Sequence, residues 1–254
     1  MEIFNVLKFM FFSYLRIIFM FDRFAAIAFF VLVPFQLLGN NEPYLLDFTE
    51  IQGNALDWFE ERGWEEQVDM DKMNPRLENS SLVIEVKDAY SGVFFKDFRP
   101  ESKRLSGINR IRIKWGVEQY PEGADWSGPV EEKRNVRNAI GVMVFFGDEN
   151  QESGSIFIPD IPYFLALFLG EKERPGKAYL GNYWQKGGRY FCISCDGNVG
   201  EFITEMEIPN TFKDQFGFDP PPITGIAIDA DATNTTSKNG RHSKSYIKKI
   251  ELLP

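Results

Sequence analysis

Histidine is almost absent from the sequence, since His242 is the single one among 254 residues. One histidine cannot supply a His-based metal site or a pair of acid–base groups. A serine triad would need His242 as its base, yet no nucleophile-elbow motif accompanies it. We therefore expect His242, which lies in the polar tract 237–245, to be an exposed loop residue.

Cysteine is nearly as scarce, and the two residues present, Cys192 and Cys195, form a single C-x-x-C motif. A zinc site needs four ligands, and the sequence has no second pair. In one extended strand the two Cα atoms would lie roughly 10 Å apart, with the side chains on opposite faces. A disulfide needs them within about 7 Å. The spacing predicts two free thiols, and a disulfide is the alternative if the turn at Asp196-Gly197 begins early.

Positive charge is in deficit, with 28 basic against 37 acidic residues and a formal net charge of −9. Nucleic acid and anionic lipid surfaces both draw their affinity from clustered Lys and Arg. We expect no nucleic-acid partner, and contact with a membrane only through the N-terminal segment described next.

A long apolar run occupies the N-terminus. Residues 3–38 are apolar except for a few breaks, and residues 24–38 form an uninterrupted run preceded by Arg23, which is the layout of a secretory signal. Lys8 and Arg16 each cost roughly 2.5–3.5 kcal/mol at a bilayer centre, so the first half is not expected to span alone. We predict a signal peptide or membrane anchor at 1–42. The domain at 43–254 is then periplasmic, secreted, or anchored facing away from the cytosol.

Period-two alternation dominates the rest of the chain. In residues 110–118, Ile111, Ile113 and Trp115 point one way and the charged residues point the other, as in a half-buried antiparallel strand. Similar strands are predicted at 81–87, 92–97, 140–146, 163–169, 189–195, 223–229 and 245–252. Short helices are predicted at 55–62 and 209–216, and a hairpin at Asp196-Gly197. The pattern predicts an all-β fold, a single antiparallel β-sandwich of the jelly-roll or galactose-binding-like kind.

Aromatic residues in polar, glycine-containing stretches are candidate ligand-binding residues, because flat rings stack on sugar faces. Tyr179, Tyr183 and Trp184 lie in such a stretch, and Trp126 lies in the long polar connection 120–138. Connections of that length tend to be functional or mobile. Burial in the core is the alternative for each of the four rings.

Asp229 and Asp231 follow an apolar strand and are expected to face one side. Alternating oxygen ligands suit a hard cation such as calcium, and Asp47 and Glu50 could add carboxylates from the N-terminal strand. The alternative is a strand-end turn in which the carboxylates cap backbone N–H groups. The sequence requires no cofactor, and structural calcium at Asp229 and Asp231 is the one candidate.

Carboxylate pairs for glycoside hydrolysis need two acids facing a groove, about 5–10 Å apart. The candidates are Glu201, Glu205 and Glu207, or Asp148 with Glu149. An acidic composition produces such pairs by accident, and the Glu-x-Asp-x-x-Glu strand pattern of jelly-roll glucanases is absent. We therefore predict a domain that is not an enzyme.

The C-terminal half carries motifs in a recognisable order. A strand containing Trp115 is followed by an acidic loop, an apolar strand, Phe216-Gly217, prolines at 220–222, the motif 226–231 and a closing strand at 246–250. Over residues 105–252 this order resembles the bacterial domain of unknown function numbered 3047. The resemblance implies an exported β-sandwich without an assigned activity.

Two departures separate the chain from that family. Ala232 stands where an Asn usually follows the second Asp, and Val136, Arg137 and Gly141 stand where paired acids and an arginine are usual. A ligand held by those groups in the family would be lost or changed in this chain.

Together these patterns predict an exported, non-catalytic domain that binds carbohydrate or another cell-envelope polymer. One alternative is a jelly-roll glycoside hydrolase or lyase, and another is a purely structural envelope-interaction protein. An enzyme would bring acids together in a groove beside the aromatic residues. A structural partner would present a flat apolar patch without a groove.

Export is directly testable. Fractionation of cells that express the tagged full-length chain should recover the domain outside the cytosol, because Arg23 and the apolar run that follows direct it to the membrane. A soluble cytosolic pool of full-length protein would contradict the prediction.

Overall fold

The computed structural model describes residues 42–254, so the predicted signal peptide or anchor lies outside the described residues, apart from Glu42. The strands are β1 (Tyr44–Asp47), β2 (Gly53–Asn54), β3 (Glu65–Val68), β4 (Pro75–Glu78), β5 (Ser81–Val86), β6 (Ser91–Asp97), β7 (Arg110–Gln119), β8 (Asn138–Gln151), β9 (Ile161–Leu169), β10 (Ala178–Tyr179), β11 (Gly188–Ser194), β12 (Gly200–Glu207), β13 (Ile223–Asp231) and β14 (Ser243–Leu253). The helices are α1 (Ala55–Glu61), α2 (Ile208–Phe216) and two short 3-10 helices at Met70–Met73 and Glu101–Lys103. Within residues 42–254, no helix combines the length and apolarity needed to cross a bilayer.

The strands form two seven-stranded sheets. The first sheet has the order β12-β7-β14-β5-β4-β2, with β1 paired to β14, and the second has the order β10-β11-β9-β8-β13-β6-β3. All the strand pairs are antiparallel except β9 with β11, which is parallel. The predicted β-sandwich is confirmed, as is each of the predicted strands.

The core lies between the sheets. Ile111, Ile113 and Trp115 of β7 are fully buried there, as the alternation predicts, and they belong to one cluster with Ile226 and Ile228 of β13. Burial of each such side chain contributes about 1.5–3 kcal/mol. This inter-sheet layer is therefore the main source of stability.

The second sheet is apolar on both faces. Met143 and Phe145 of β8 point away from the inter-sheet core and form a separate cluster with Phe164, Ala166 and Ala227. Because an uncovered apolar face is unfavourable in water, loops must cover this outer face. That requirement positions the site described below.

Both predicted helices are confirmed, and each ends where its local sequence favours an end. Asn54 precedes α1, and its side chain accepts a hydrogen bond from the backbone N–H of Leu56 at 2.9 Å. Pro209 lies in the first turn of α2, and Gly217 follows its last turn with a φ of 85°.

The predicted hairpin at Asp196-Gly197 is wrong. β11 belongs to the second sheet, whereas β12 pairs with β7 in the first sheet. Gly197 and Gly200 both have positive φ angles, 71° and 129°, which let the chain turn from one sheet to the other. The chain bends at Asp196, but the strands on either side of the bend belong to different sheets.

The prediction of two free thiols is also wrong, because Cys192 and Cys195 form a disulfide with a Cα–Cα distance of 5.9 Å. The register of β11 shifts between Cys192 and Ser194, and the strand ends at Ser194. Neither the alternation nor the extended spacing of a regular strand therefore applies to the two sulfurs. The disulfide packs with Phe168 and Tyr179.

The disulfide can be checked by alkylation. Intact mass of unreduced protein should show no adducts, and reduction should expose two thiols. In the chain-entropy account, closing so short a loop stabilises the folded state relative to the unfolded chain by roughly 2 kcal/mol. A double Cys192→Ser, Cys195→Ser variant should therefore unfold at a lower denaturant concentration than wild type. Two adducts before reduction would contradict the bond.

Candidate functional site

A cavity of about 570 Å³ lies over the outer face of the second sheet. Its floor is apolar, with Val93 and Phe95 from β6, Met143 and Phe145 from β8, and Ala227 from β13. Polar side chains and loop residues form the walls. The volume falls within the range of roughly 300–1,000 Å³ that is usual for small-molecule sites.

Three of the four predicted ligand-binding aromatic residues, Trp126, Tyr183 and Trp184, line this cavity. Trp126 is only 3% exposed, so it contributes an edge of the wall rather than an open platform. Its ring stacks on Phe168 with 4.6 Å between the centroids, and its Nε1 donates to the backbone oxygen of Arg137 at 3.0 Å. Tyr183 is 36% exposed and is the most accessible of the three rings.

Tyr179, the fourth candidate, does not line the cavity. It is buried beside Trp126, with 6.3 Å between the ring centroids. Its hydroxyl accepts a hydrogen bond from the backbone N–H of Arg174 at 2.7 Å. Tyr179 therefore supports the wall from behind, and the core alternative applies to it.

Two residues in an unfavourable backbone conformation lie on the walls. Val68, at the end of β3, has a φ of 64°, and Trp184 has a φ of 52°. Left-handed backbone is rare for β-branched and bulky residues. Trp184 is held there because its N–H donates to the oxygen of Ser153 at 3.1 Å and its Nε1 donates to the oxygen of Pro159 at 2.9 Å. Backbone strain of this kind concentrates at functional sites.

The long connection 120–137 is fixed to the aromatic stretch by Arg134 and Asn182. The Arg134 guanidinium donates to the backbone oxygens of Trp126, Leu180 and Gly181 at 2.5–3.2 Å. The Asn182 side chain accepts from the N–H of Arg134 and donates to its oxygen. The wall that carries Trp126 is thereby joined to the wall that carries Tyr183.

Asp229 lies in the cavity wall and accepts a hydrogen bond from Asn138 Nδ2 at 3.1 Å. Its second oxygen, Oδ1, lies over Gly141, where any Cβ would collide with it. Glycine at position 141 therefore makes room for the carboxylate. Burial raises the pKa of Asp229 to about 6, with a further rise from the charge of Asp231 and an opposing effect of the Asn138 hydrogen bond.

Asp231 lines the same cavity, so the two acids share a side as predicted. Its Oδ1 accepts from the N–H and the hydroxyl of Thr233, at 2.9 and 2.7 Å, and its Oδ2 lies 3.3 Å from Arg137. This is the turn-capping arrangement that the sequence offers as the alternative to metal binding.

The N-terminal strand does not bring Asp47 to Asp229 and Asp231 as an additional cation ligand. β1 pairs with β14 in the first sheet, so Asp47 lies on the opposite sheet from Asp229, and its Oδ1 is bonded to Thr49. Glu50 follows the same strand. Among residues 42–254, no group of three or more acidic, histidine or cysteine side chains is arranged to hold a metal ion. Calcium at Asp229 and Asp231 stays a prediction.

The acids considered for hydrolysis lie elsewhere and have other partners. Glu201 pairs with Lys114 and Lys248, and Glu205 pairs with Arg110 and Arg112 on the first sheet. Glu207 caps α2, Asp148 pairs with Arg104, and Glu149, the remaining candidate, follows Asp148 in β8. None of these acids lines the cavity.

The expectation for His242 is wrong, because the side chain is only 8% exposed. Its Nδ1 lies 2.8 Å from the hydroxyl of Thr235, which also donates to the oxygen of Ala232. Hydrophilic neighbours in the sequence suggested a solvated loop, whereas the folded chain places the Thr235 hydroxyl within hydrogen-bond distance of the ring. His242 does not line the cavity.

Several cavity residues were missed by sequence reasoning, notably Phe95, Phe145, Tyr190 and Asn138. The sequence does carry a signal for Phe145. The run 142–146 is apolar on both faces of its strand, so a second surface must cover the side chains that point away from the core. Tyr190 and Asn138 carry no comparable signal, because their roles depend on which strands are neighbours.

No protein-family model matches the sequence, and neither does any curated protein. The resemblance to the domain family numbered 3047 therefore stays a prediction. Among solved structures, the carbohydrate recognition domain of Emp47p is similar over 84% of this chain and 94% of its own, with 11% sequence identity and a TM-score of 0.33. Likeness at that TM-score carries no argument about the ligand of this chain.

The raised pKa of Asp229, a half-buried side chain in the cavity wall, predicts a specific pH dependence. The folded protein keeps the Asp229 proton up to about pH 6, whereas the unfolded chain loses it near 3.8. The folded state therefore binds more protons between these values, and this group destabilises the fold as pH rises through them. The free energy of unfolding of Asp229→Asn, relative to wild type, should rise by about 1–3 kcal/mol between about pH 4 and pH 7.

Urea unfolding of both proteins at several pH values measures this difference. Asp219→Asn is the matched control, because Asp219 is exposed and pairs with Lys213 outside the cavity. A difference between wild type and Asp229→Asn that does not change with pH would show that Asp229 titrates as an ordinary exposed acid.

Proposed function

We propose that the domain binds a carbohydrate in the cavity over the second sheet and does not transform it. The observation that carries the proposal is the meeting of three kinds of group in one cavity. Aromatic rings of Tyr183 and Trp184, an apolar floor at Phe95 and Phe145, and the polar pair Asp229–Asn138 all line it. Sugars present both apolar ring faces and hydroxyl edges, so they need both surfaces.

Each part of the cavity has a role in this binding. The ring of Tyr183, the more accessible aromatic wall, stacks on a sugar face. Asp229 Oδ1 accepts a hydrogen bond from the ligand, because Asn138 already occupies the other oxygen. Trp184 is held by its hydrogen bonds to Ser153 and Pro159 before the ligand arrives, which lowers the entropy lost on binding.

The cavity also favours ligand binding over a purely structural role. A structural envelope partner would need a flat apolar patch, whereas the apolar residues of this outer face lie at the bottom of a cavity with polar walls. We further propose that the domain acts outside the cytosol, facing the cell envelope. The Cys192–Cys195 disulfide supports this placement, since such bonds persist mainly in oxidising compartments.

One observation favours a second candidate, a glycoside hydrolase or lyase. The pKa of about 6 at Asp229 is suitable for a general acid in a cavity. The neighbouring carboxylate, Asp231, is engaged by Arg137 and Thr233, so Asp160 is the remaining cavity carboxylate that could act as base or nucleophile. Analysis of oligosaccharides incubated with the protein distinguishes the two functions, because only an enzyme shortens them.

A glycan-array screen of the full-length protein tests carbohydrate binding. For the oligosaccharide with the strongest signal, Tyr183→Ala should lower affinity by roughly fivefold, which corresponds to loss of about 1 kcal/mol of stacking. Tyr183→Phe should bind nearly as well as wild type, because the ring is retained.

Ile203→Ala provides the surface control, since Ile203 is exposed on the first sheet and outside the cavity. An equal loss in Tyr183→Ala and Ile203→Ala would show that the ring makes no specific contact. Absence of any glycan signal from folded protein would contradict carbohydrate binding itself.

A further inference from the structure

The charged side chains of the cavity do not balance one another. Its five charged side chains are Arg99, Arg137, Asp160, Asp229 and Asp231. Both arginines are already paired, Arg137 with Asp231 at 3.3 Å and Arg99 with Asp97, which lies outside the cavity, at 2.8 Å. Two carboxylates, Asp229 and Asp160, are left over.

These two carboxylates lack a cationic partner within residues 42–254. None of the ion pairs formed there includes Asp229 or Asp160. Asp160 accepts from the N–H of Ser153 at 2.8 Å, and Asp229 accepts from Asn138. Neutral donors satisfy one oxygen of each group but leave the charge uncompensated.

One aromatic side chain, Tyr190, lies near Asp229, the deeper of the two carboxylates. Tyr190 lies close enough for Asp229 and Asp231 to raise the pKa of its hydroxyl, after the larger effect of burial. The ring of Trp126 lies 5.0 Å from that of Tyr190, between centroids. Ring faces attract cations, and the attraction grows when water is excluded.

An asparagine at position 229 would satisfy Asn138 equally well and would not bury a charge. A partly buried carboxylate is costly unless a cation offsets its charge. A ligand that carries a positive charge into the cavity supplies that offset. A ligand with only hydroxyl groups does not.

We propose that the cavity selects carbohydrates that carry a free amino group, whose ammonium binds Asp229 Oδ1 on the cavity wall near Tyr190. The inference rests on the proposed carbohydrate function and specifies its ligand class. Asp160 adds a second negative charge to the wall and strengthens the same preference.

The test compares three oligosaccharides of equal length and linkage: a glucosamine oligomer, its fully N-acetylated form and the corresponding neutral glucose oligomer. Calorimetric titration of the full-length protein near pH 6.5, above the pKa of Asp229, should give at least about tenfold tighter binding of the amine form, equivalent to about 1.4 kcal/mol. In Asp229→Asn the amine preference should disappear, so that the three forms bind within about twofold of one another. The control Asp219→Asn removes the same charge outside the cavity and should keep the preference.

The outcomes separate the two proposals. Equal binding of the three forms by wild type, or an amine preference that survives in Asp229→Asn, overturns the ammonium site and leaves carbohydrate binding intact. If no oligosaccharide binds, the carbohydrate proposal fails, and titration with cyclohexylammonium decides the ammonium site by itself. Binding that depends on Asp229 then supports the cation site, and no binding overturns it.

Discussion

The two-faced apolar character of the second sheet is the constraint on which the rest of the structure depends. Val142, Val144 and Phe146 face the inter-sheet core, while Met143 and Phe145 face outward. One set of strands must therefore be covered twice, once by the first sheet and once by loops. Loops cannot pack over a sheet as continuously as a second sheet does, because their own backbone groups need partners. The incompletely covered area between them is the cavity.

The loops over this face are held by connections that reach deep into the domain. Arg134 joins the long connection to the aromatic stretch, and Trp126 stacks on Phe168, which packs against the disulfide. The wall is thus fixed from behind by a covalent bond, a stacked ring and a guanidinium with several acceptors. A wall held in this way is preorganised, which supports the proposed binding of a ligand in the cavity.

Sequence patterns predicted the fold well where the signal is local. Alternation in residues 110–118 identified β7, and Pro209 with Gly217 placed α2. Errors occurred where the outcome depends on which distant strand becomes a neighbour. Asp196-Gly197 has the composition of a hairpin turn, yet β12 finds its partner in β7, more than eighty positions earlier in the chain. Likewise, an irregularity in β11, which no residue pattern announces, brought the two cysteines together.

The candidate site was predictable in its parts but not as a whole. Aromatic residues near Tyr183 and the acids at Asp229 were recognised as two unrelated features, a platform and a metal site. They lie in one cavity because β13 is central in the second sheet and the aromatic loop folds over that sheet's outer face. Gly141 makes the juxtaposition possible, since only a residue without a Cβ leaves space for the Asp229 carboxylate. Gly141 and Asp229 therefore form one arrangement of the cavity wall, in which the glycine accommodates the acid.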